Sequence, residues 1–216
     1  MIIHRSGEAA ILIAFEEADL LGPEDSMIDL VVRTHARLRR SIDDGALRGI
    51  RDTVPAARTI LVSFDPAATD AWAVHDFVSI MGPIPPAARA EGREIVIPVS
   101  YGGPDLDEVA KALGMRPSEI VAAHRATAWR AAFGGFAPGF MYLTGDGLAV
   151  PRRATPRTAV PAGSVALAGG MSAVYPSDSP GGWQLIGRTD AVLWDLSRLE
   201  PSLIAPGDIV RFVEGG

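Results

Sequence analysis

The amino-acid sequence predicts an α+β protein in which a small two-layer α+β domain precedes a domain of many short strands. In the first 81 residues, the spacing of apolar residues alternates between strand and helix periods. These residues include only four glycines and three prolines, whereas residues 134–216 include fourteen and eight. After Ala126 the helical patterns stop. The short apolar stretches that follow, broken by glycine and proline, favour a closed β-barrel or a sandwich.

The first domain is predicted to contain two helices and four strands in the order β-β-α-β-β-α. Ser26 and Asp29 have the spacing of a capping box, so the first helix begins at Asp25 or Ser26. Thr69 is the predicted cap of the second helix. The apolar stripes are Met27, Val31, Thr34, Leu38 and Ile42 in the first helix and Val74, Phe77, Val78 and Met81 in the second. The predicted strands are 2–5, 8–15, 50–54 and 59–64, and this set of elements favours a two-layer sandwich.

A proline-rich segment separates the two predicted domains. Pro83, Pro85 and Pro86 cannot continue a helix and stiffen the chain around them. We therefore predict an N-terminal domain over residues 1–81, a linker over 82–92 and a C-terminal domain over 93–216.

The second domain is predicted to begin with a strand and two helices. Residues 93–99 form the strand, and the first helix runs from 105 to 113, where Gly114 ends it. Pro117 suits the first turn of the next helix, residues 117–125. Six further strands are predicted at 129–133, 147–150, 164–168, 185–189, 192–195 and 208–213.

Composition excludes several classes of function. The chain has no cysteine, which rules out disulfides, thiolate metal sites and cysteine nucleophiles. A net charge of −6 argues against a nucleic-acid-binding domain. The four histidines are scattered in sequence, so no metal site is predicted. The apolar run at residues 11–15 is too short for a signal peptide or a membrane span, which predicts a soluble cytoplasmic protein without membrane contact.

The common motifs for phosphate binding and nucleophilic catalysis are absent. The sequence contains neither a P-loop nor a dinucleotide-binding glycine motif after a strand. Ser164 is preceded by Gly163, but the second glycine of a nucleophile elbow is missing. These generic motifs therefore assign no activity.

The first unusual segment, residues 134–143, combines aromatic residues with turn formers. Pro138 and Gly139 fit a type II turn, because glycine supplies the positive φ. Such a turn would present Phe136, Phe140 and Tyr142 on a rigid frame that shapes a pocket. The alternative is a structural corner whose aromatic rings fill the end of the barrel.

The second segment, residues 151–164, contains two Pro-Arg pairs. Proline partly fixes the backbone beside Arg152 and Arg157, and each guanidinium fits carboxylate or phosphate oxygens. Gly163 and Ser164 follow closely and would bring backbone amides and a hydroxyl to the same anion, or to a developing oxyanion. The alternative is a solvated basic loop.

The third segment, residues 175–189, contains Tyr175, Trp183 and Arg188. Trp183 follows two glycines and offers a stacking surface, while Arg188 is a third candidate for anion binding. The alternative is a hairpin loop with a core tryptophan. Two residues are candidates for catalysis, Ser164 and His124. The preferred interpretation of His124 is a histidine hydrogen-bonded inside the domain.

Four motifs occur in order and together resemble the family of 5-oxoprolinase B subunits, also called allophanate hydrolase subunit 1 or KipI-like. They are F-x-P-G-F-x-Y-L, P-R-x(3)-P-R-x(2)-V-P-A-G-S-V, Y-P-x(3)-P-G-G-W-x-L-I-G-R-T and P-G-D-x-V-R-F. Residues 101–106, Glu119, Ile120 and His124 resemble the family's upstream segment. The sequence departs from the family at Met171-Ser172-Ala173, where a glutamine-threonine-glycine stretch is expected, and at Met141.

The resemblance implies a fold, a reaction and partners. The implied fold is a cyclophilin-like β-barrel after a small α+β domain. The implied reaction is the ATP-dependent opening of 5-oxoproline to L-glutamate, which needs a homologous C subunit and an A subunit of the same system. ATP, with Mg²⁺, would be bound by this chain or by a partner. Two alternatives remain open: a non-enzymatic inhibitor of a histidine kinase, and a carboxyltransferase-type component of an allophanate or urea amidolyase system.

Overall fold

The computed structural model describes residues 1–22, 26–81, 84 and 92–215. It forms two compact units, Met1–Ala90 and Glu91–Gly216. Most of the predicted linker over residues 82–92 lies outside the described residues.

The N-terminal unit contains the predicted succession of strands and helices. Its elements are β1 (Ile2–Arg5), β2 (Ala10–Ala14), α1 (Met27–Asp43), β3 (Ile50–Pro55), β4 (Thr59–Phe64) and α2 (Ala71–Met81), with a short 3-10 helix at Glu17–Asp19. The strands form one antiparallel sheet in the order β1-β2-β4-β3. The predicted order β-β-α-β-β-α is therefore confirmed.

Alternating residues of the central strands build the core of this unit. Ile11 and Ile13 on β2 and Ile60 and Val62 on β4 are buried, while the residues between them are partly exposed. The predicted helix stripes cover this face, and their buried members are Val31, Thr34 and Leu38 on α1 and Val74 and Val78 on α2. The sheet and its helices thus form two layers.

Short polar side chains fix the starts of both helices. The Ser26 hydroxyl accepts a hydrogen bond of 3.1 Å from the backbone amide of Asp29, as the capping pattern predicted. The prediction that Thr69 caps α2 is wrong. Asp70 does so, because its carboxylate accepts a 2.9 Å bond from the amide of Ala73 in the first helical turn.

Replacing Ser26 by alanine is expected to lower the free energy of unfolding of the N-terminal unit by about 1 kcal/mol, because an amide of α1 loses its partner. Trp72 is the one tryptophan in residues 1–90, so its fluorescence reports this transition in a urea titration. Ser41→Ala, inside the same helix, is the matched control and should not destabilise, since alanine is the better helix former. Equal losses in both variants would contradict the role of Ser26.

The C-terminal unit is built around a closed barrel. Its barrel strands are β5 (Glu94–Tyr101), β6 (Trp129–Gly134), β7 (Met141–Thr144), β9 (Ser164–Ala168), β10 (Met171–Val174), β12 (Gln184–Arg188) and β13 (Ile209–Glu214). Outside the barrel, β8 (Arg157–Val160) pairs with β11 (Ser179–Gly181), and the two helices are α3 (Leu106–Leu113) and α4 (Pro117–Ala126). The barrel order is β10-β7-β6-β13-β5-β12-β9. The α+β fold class with a barrel is confirmed.

Two predicted strands of the barrel unit are wrong. Within 147–150 only Val150 forms a bridge, with Gly169, and within 192–195 only Trp194 does, with Ser202. Conversely, β7, β8, β10 and β11 were missed. These strands have three or four residues each, too few for a period-2 pattern to stand out.

Helices α3 and α4 pack against the barrel and contribute residues to its core. Val109, Ala110 and Ile120 from these helices are buried with Trp129 and Phe212 from the strands. Gly114 ends α3 as predicted, and its φ of 65° is in the left-handed region. In the described part of the chain, no helix has the length and apolar character needed to cross a membrane.

Candidate functional site

The three unusual segments of the sequence meet on one side of the barrel. Phe140 donates its backbone amide to the carbonyl of Ala137 at 2.9 Å, and Gly139 between them has a φ of 82°. With Pro138 preceding Gly139, this is the predicted type II turn. The turn places Phe140 in the middle of an aromatic cluster. Residues of the third segment also belong to this cluster.

Edge-to-face contacts hold this cluster together. The ring of Phe140 lies 5.0 Å from Tyr142, 5.3 Å from Tyr175 and 5.8 Å from Trp183, centre to centre. All three pairs are T-shaped, the arrangement that aromatic quadrupoles favour. The cluster includes the buried Val160 of β8, one strand of the antiparallel pair that β8 forms with β11. Most of these aromatic side chains therefore serve a second, smaller core.

Phe136 is the exception, because its ring is 58% exposed. It packs edge-on against Phe140 at 5.1 Å and against Tyr175 at 6.1 Å. Its φ of 69° is the one positive value among the described non-glycine residues, and a bulky residue adopts it only where the surroundings enforce it. Residues 134–143 thus expose one aromatic ring, that of Phe136, to solvent, and the backbone conformation of Phe136 is constrained by its surroundings.

A buried carboxylate lies beneath the second segment. Asp105 is 1% exposed. Its Oδ1 accepts hydrogen bonds from Arg153 at 2.6 Å and from Arg157 at 2.7 Å, and its Oδ2 accepts one from the backbone amide of Leu185 at 2.7 Å. Asp105 precedes α3 but makes no side-chain cap there. It instead ties the arginine segment and β12 to the start of the helix.

The electrostatics of this cluster keep Asp105 ionised. Burial alone would raise the pKa of the carboxyl, but the hydrogen bonds from Arg157 and Leu185 and the charges of both arginines outweigh it and hold the pKa below its usual value. The same contact raises the pKa of Arg157. Three strong contacts thus satisfy a charge that could not otherwise be buried.

The prediction for Arg157 did not include this contact. The anion that its guanidinium contacts is an internal carboxylate, and its partner in the clamp is Arg153 rather than Arg152. Sequence reasoning missed both Asp105 and Arg153. The available signal was an aspartate just before a helix, but that position favours a helix cap and gives no hint of an ion pair some 50 residues distant.

The groups of Gly163 and Ser164 that were predicted to hold an oxyanion have acceptors within the chain. The amide of Gly163 donates to the carbonyl of Tyr175 at 2.8 Å, and the amide of Ser164 donates to that of Pro161 at 3.2 Å. The Ser164 hydroxyl donates to the same Pro161 carbonyl at 2.7 Å. The Ser164 amide and hydroxyl are therefore used within the turn, and the Gly163 amide joins the turn to Tyr175.

His124 lies fully inside the barrel unit. Its Nδ1 is 2.8 Å from the Tyr101 hydroxyl, its Nε2 is 2.9 Å from the Ser172 hydroxyl, and its ring stacks on Phe212 at 4.4 Å. Burial lowers the pKa of His124 to about 3, so the imidazole is neutral at physiological pH. A neutral tautomer that accepts from Tyr101 and donates to Ser172 satisfies both nitrogens. This placement fits a histidine hydrogen-bonded in the core and leaves it without access to a substrate.

The three arginines predicted to bind anions lie in different surroundings. Arg152 is exposed, and its charge acts on Tyr175 in the aromatic cluster, where burial raises the pKa of the phenol. Arg188 is exposed at one end of β12. At the other end, Gln184 donates its side-chain amide to the carbonyl of Pro151, next to Arg152, at 3.2 Å. Gln184 and Arg188 are roughly 13 Å apart at about 3.3 Å per residue. Arg188 lines a surface cavity of about 420 Å³ with Ser100 and Asp190. The structure therefore offers two separate exposed guanidinium groups rather than one cluster of three.

The donor set can also be tested against Mg²⁺ and ATP. The described residues include no group of three histidine, aspartate or glutamate side chains placed to hold a metal ion. The backbone amides at Gly163 and Ser164 are occupied, so they do not form a phosphate cradle. The turn at Gly163 and Ser164 therefore offers no free amide to a phosphate group.

Comparison with known proteins gives consistent relatives. The chain is 47% identical over 131 residues to the 5-oxoprolinase B subunit of Haemophilus influenzae, and the match covers 58% of this chain and 62% of the relative. It is 49% identical over 132 residues to the 5-oxoprolinase B subunit of Escherichia coli O157:H7, with 59% and 61% covered. The match thus spans about three fifths of the length of these relatives.

Solved structures agree on the fold. The protein TTHA0988 has a TM-score of 0.78 at 32% identity, and the match covers 97% of this chain and 40% of that one. The urea amidolyase of Kluyveromyces lactis has a TM-score of 0.79 at 17% identity, with 99% of this chain and 15% of that one covered, which shows a shared fold.

The family assignment follows from a match over nearly the whole chain. The family of the carboxyltransferase domain, subdomain C and D, matches residues 1–204. The curated relatives confirm the resemblance to 5-oxoprolinase B subunits that the four motifs indicated. The chain therefore belongs to the carboxyltransferase domain family, subdomains C and D.

Proposed function

We propose that this chain is the B subunit of an ATP-dependent 5-oxoprolinase that opens 5-oxoproline to L-glutamate, and that it is inactive without its partners. The observation that carries the proposal is the 46–49% identity to three proteins that are named as 5-oxoprolinase B subunits. The partners are a homologous C subunit and an A subunit.

The chemistry of the substrate explains why nucleotide is needed. A lactam carbonyl is resonance-stabilised and a poor electrophile. Transfer of a phosphoryl group from ATP to its oxygen leaves ADP and makes the carbon electrophilic. Water adds there, and the ring C–N bond breaks as a proton moves to the nitrogen, which gives an acyl phosphate. A second water then hydrolyses the acyl phosphate to L-glutamate and inorganic phosphate. In this proposal a partner holds the nucleotide, since the amides of Gly163 and Ser164 already have acceptors within this chain.

The exposed face of the aromatic cluster suits part of the substrate. Arg152 offers a charged fork for the carboxylate, and Phe136 offers an apolar surface for the ring. The two candidates for catalysis in this chain are used by the fold: Ser164 donates within its own turn, and His124 is enclosed. The groups that act on the lactam therefore come from the partners.

The test is ATP-dependent glutamate release by the chain co-purified with neighbours of the C and A types. We expect activity from the full set, none from this chain alone, and at least a tenfold loss in kcat/KM for Arg152→Ala. Arg37→Ala, an exposed arginine on α1, is the matched control and should leave activity unchanged. Arg188→Ala asks whether the second exposed guanidinium contributes.

Two results would decide against the proposal. One is the absence of ATP-dependent glutamate release from the complete, folded set of subunits. The other is inhibition of a histidine kinase by the isolated chain that survives Arg152→Ala and Arg188→Ala, which would favour the regulatory alternative. Co-purification of a biotinylated partner would favour the carboxyltransferase alternative.

A further inference from the structure

A hairpin-like arm, defined here as residues 192–203, projects from the barrel unit between β12 and β13. Its two sides are joined by hydrogen bonds from Leu203 to the carbonyl of Leu193 and from Asp195 to the carbonyl of Pro201, both 2.9 Å. Trp194 bridges to Ser202 between them. Leu193 is buried in the barrel core and anchors the base of the arm.

Leu203 is partly buried against the same core, and four other large apolar side chains of the arm are exposed. Val192 is 55% exposed, Trp194 40%, Leu196 80% and Leu199 101%. Single exposed leucines are common, but four large apolar side chains within eight consecutive residues form a patch of the kind that marks an interaction site.

The tip of the arm is rigid. The carboxylate of Asp195 accepts hydrogen bonds from the Ser197 amide at 2.9 Å and from the Ser197 hydroxyl at 2.7 Å. Arg198 donates its amide to the Asp195 carbonyl at 3.2 Å and its guanidinium to the Val192 carbonyl at 3.0 Å. Leu196 and Leu199 are thus held in place before any partner arrives, which lowers the entropy that binding must overcome.

The charged side chains of the arm have partners within the chain. Arg198 pairs with Asp195 at 3.5 Å, and Glu200 lies 3.5 Å from Arg93, which also pairs with Asp208 at 2.9 Å. Within residues 192–203, all of which the structure describes, no spare cation is left to attract phospholipid headgroups. The surface fits an uncharged apolar groove on another protein, the composition typical of the centre of a protein–protein interface.

The base of the arm touches the corner that carries the exposed aromatic residue. A Cβ added to Gly139 would lie 2.9 Å from the Cβ of Trp194, so the type II turn and the arm are in direct contact. A protein seated on the arm would therefore border Phe136 and the aromatic cluster. In the solved relative TTHA0988, more than half of the chain lies outside the matched part, so this fold occurs joined to further polypeptide.

We propose that the arm is the docking surface for the homologous C-type partner, with Leu196 and Leu199 inserted into an uncharged apolar groove of that partner. This assignment rests on the proposed function for the existence of the partner. It explains how a second chain reaches the candidate site and completes it.

The test measures binding separately from activity. The full-length double variant Leu196→Ser/Leu199→Ser is titrated with the purified C-type partner, and its Kd is compared with that of the original chain. We expect at least a 30-fold weaker Kd. Because both side chains are exposed, the circular dichroism spectrum and Tm should not change. Ile80→Ser, at a 77% exposed position on α2, is the matched control and should bind normally.

Each outcome decides the matter. Unchanged affinity of the double variant, a loss caused by Ile80→Ser instead, or no binding by the original chain would overturn the proposal. Self-association that the double variant abolishes would assign the arm to a second copy of this chain and also overturn it. A complex that depends on the two leucines but releases no glutamate would uphold the arm and reject the proposed 5-oxoprolinase function.

Discussion

Replacing Asp105 by alanine is expected to lower the free energy of unfolding of the barrel unit by about 3–5 kcal/mol, because Arg153 and Arg157 would lose a buried counter-charge. The amide of Leu185 would lose its acceptor as well. The measurement is a urea titration followed by tryptophan fluorescence, since three of the four tryptophans lie beyond residue 90.

Glu108→Ala is the matched control. Glu108 lies 3.6 Å from the same Arg153 but is exposed, so its removal should cost less than about 1 kcal/mol. The stability from Asp105 should also depend on pH. Because its pKa is lowered in the folded chain, the contribution is present above the unfolded value of 3.8 and disappears as pH falls through the folded value. A loss below about 1 kcal/mol for Asp105→Ala would show that the clamp does not stabilise the barrel.

Mild acid should destabilise the barrel unit through His124. Its pKa is about 3 in the folded chain, whereas an unfolded histidine titrates near 6.5, so only the unfolded chain takes up this proton between those values. Stability should therefore fall with decreasing pH, by about 1.4 kcal/mol per pH unit once the pH is well below 6.5. No other histidine lies beyond residue 90, which makes the assignment direct.

The check compares urea titrations at pH 6 and pH 4.5. The original chain and His75→Gln, a variant at an exposed histidine of α2, should share the same slope, and His124→Gln should lose it. If His124→Gln does not fold, the ring resonances of His124 in the original chain provide the readout and should not titrate between pH 7 and 4.5. Titration of that ring near pH 6 would contradict the neutral, enclosed imidazole.

The N-terminal unit was predictable because its helices and strands are long enough for the helical or strand repeat of apolar residues to recur several times. The stripe from Val31 to Leu38 defines the buried face of a 17-residue helix, and β4 alternates over six residues. The barrel gave weaker local signals. Residues 192–195 have strand-like composition, yet they belong to the arm. Val192 and Trp194 are exposed there while Leu193 is buried, and the neighbouring strands are already paired with one another.

The candidate site shows what a sequence pattern leaves out. The motifs located the segments that meet, and the turn at Pro138 and Gly139 followed from local geometry alone. The roles of the arginines could not be predicted in this way, because Arg157 pairs with Asp105, which is distant in sequence. Likewise, the tertiary structure alone shows that Ser172 completes the hydrogen bonding of His124.

The pairing of β13 with β5 has a consequence for biosynthesis. These two strands run parallel, with Glu94 opposite Ile209, and they close the barrel across about 115 residues of sequence. At ribosomal speeds of about 5–20 residues per second, the first of them waits roughly 6–23 s for its neighbour. During that interval the edge of β5 that later pairs with β13 has unpaired backbone groups, which other strands can bind incorrectly. The nascent chain should therefore depend most on chaperones during this interval.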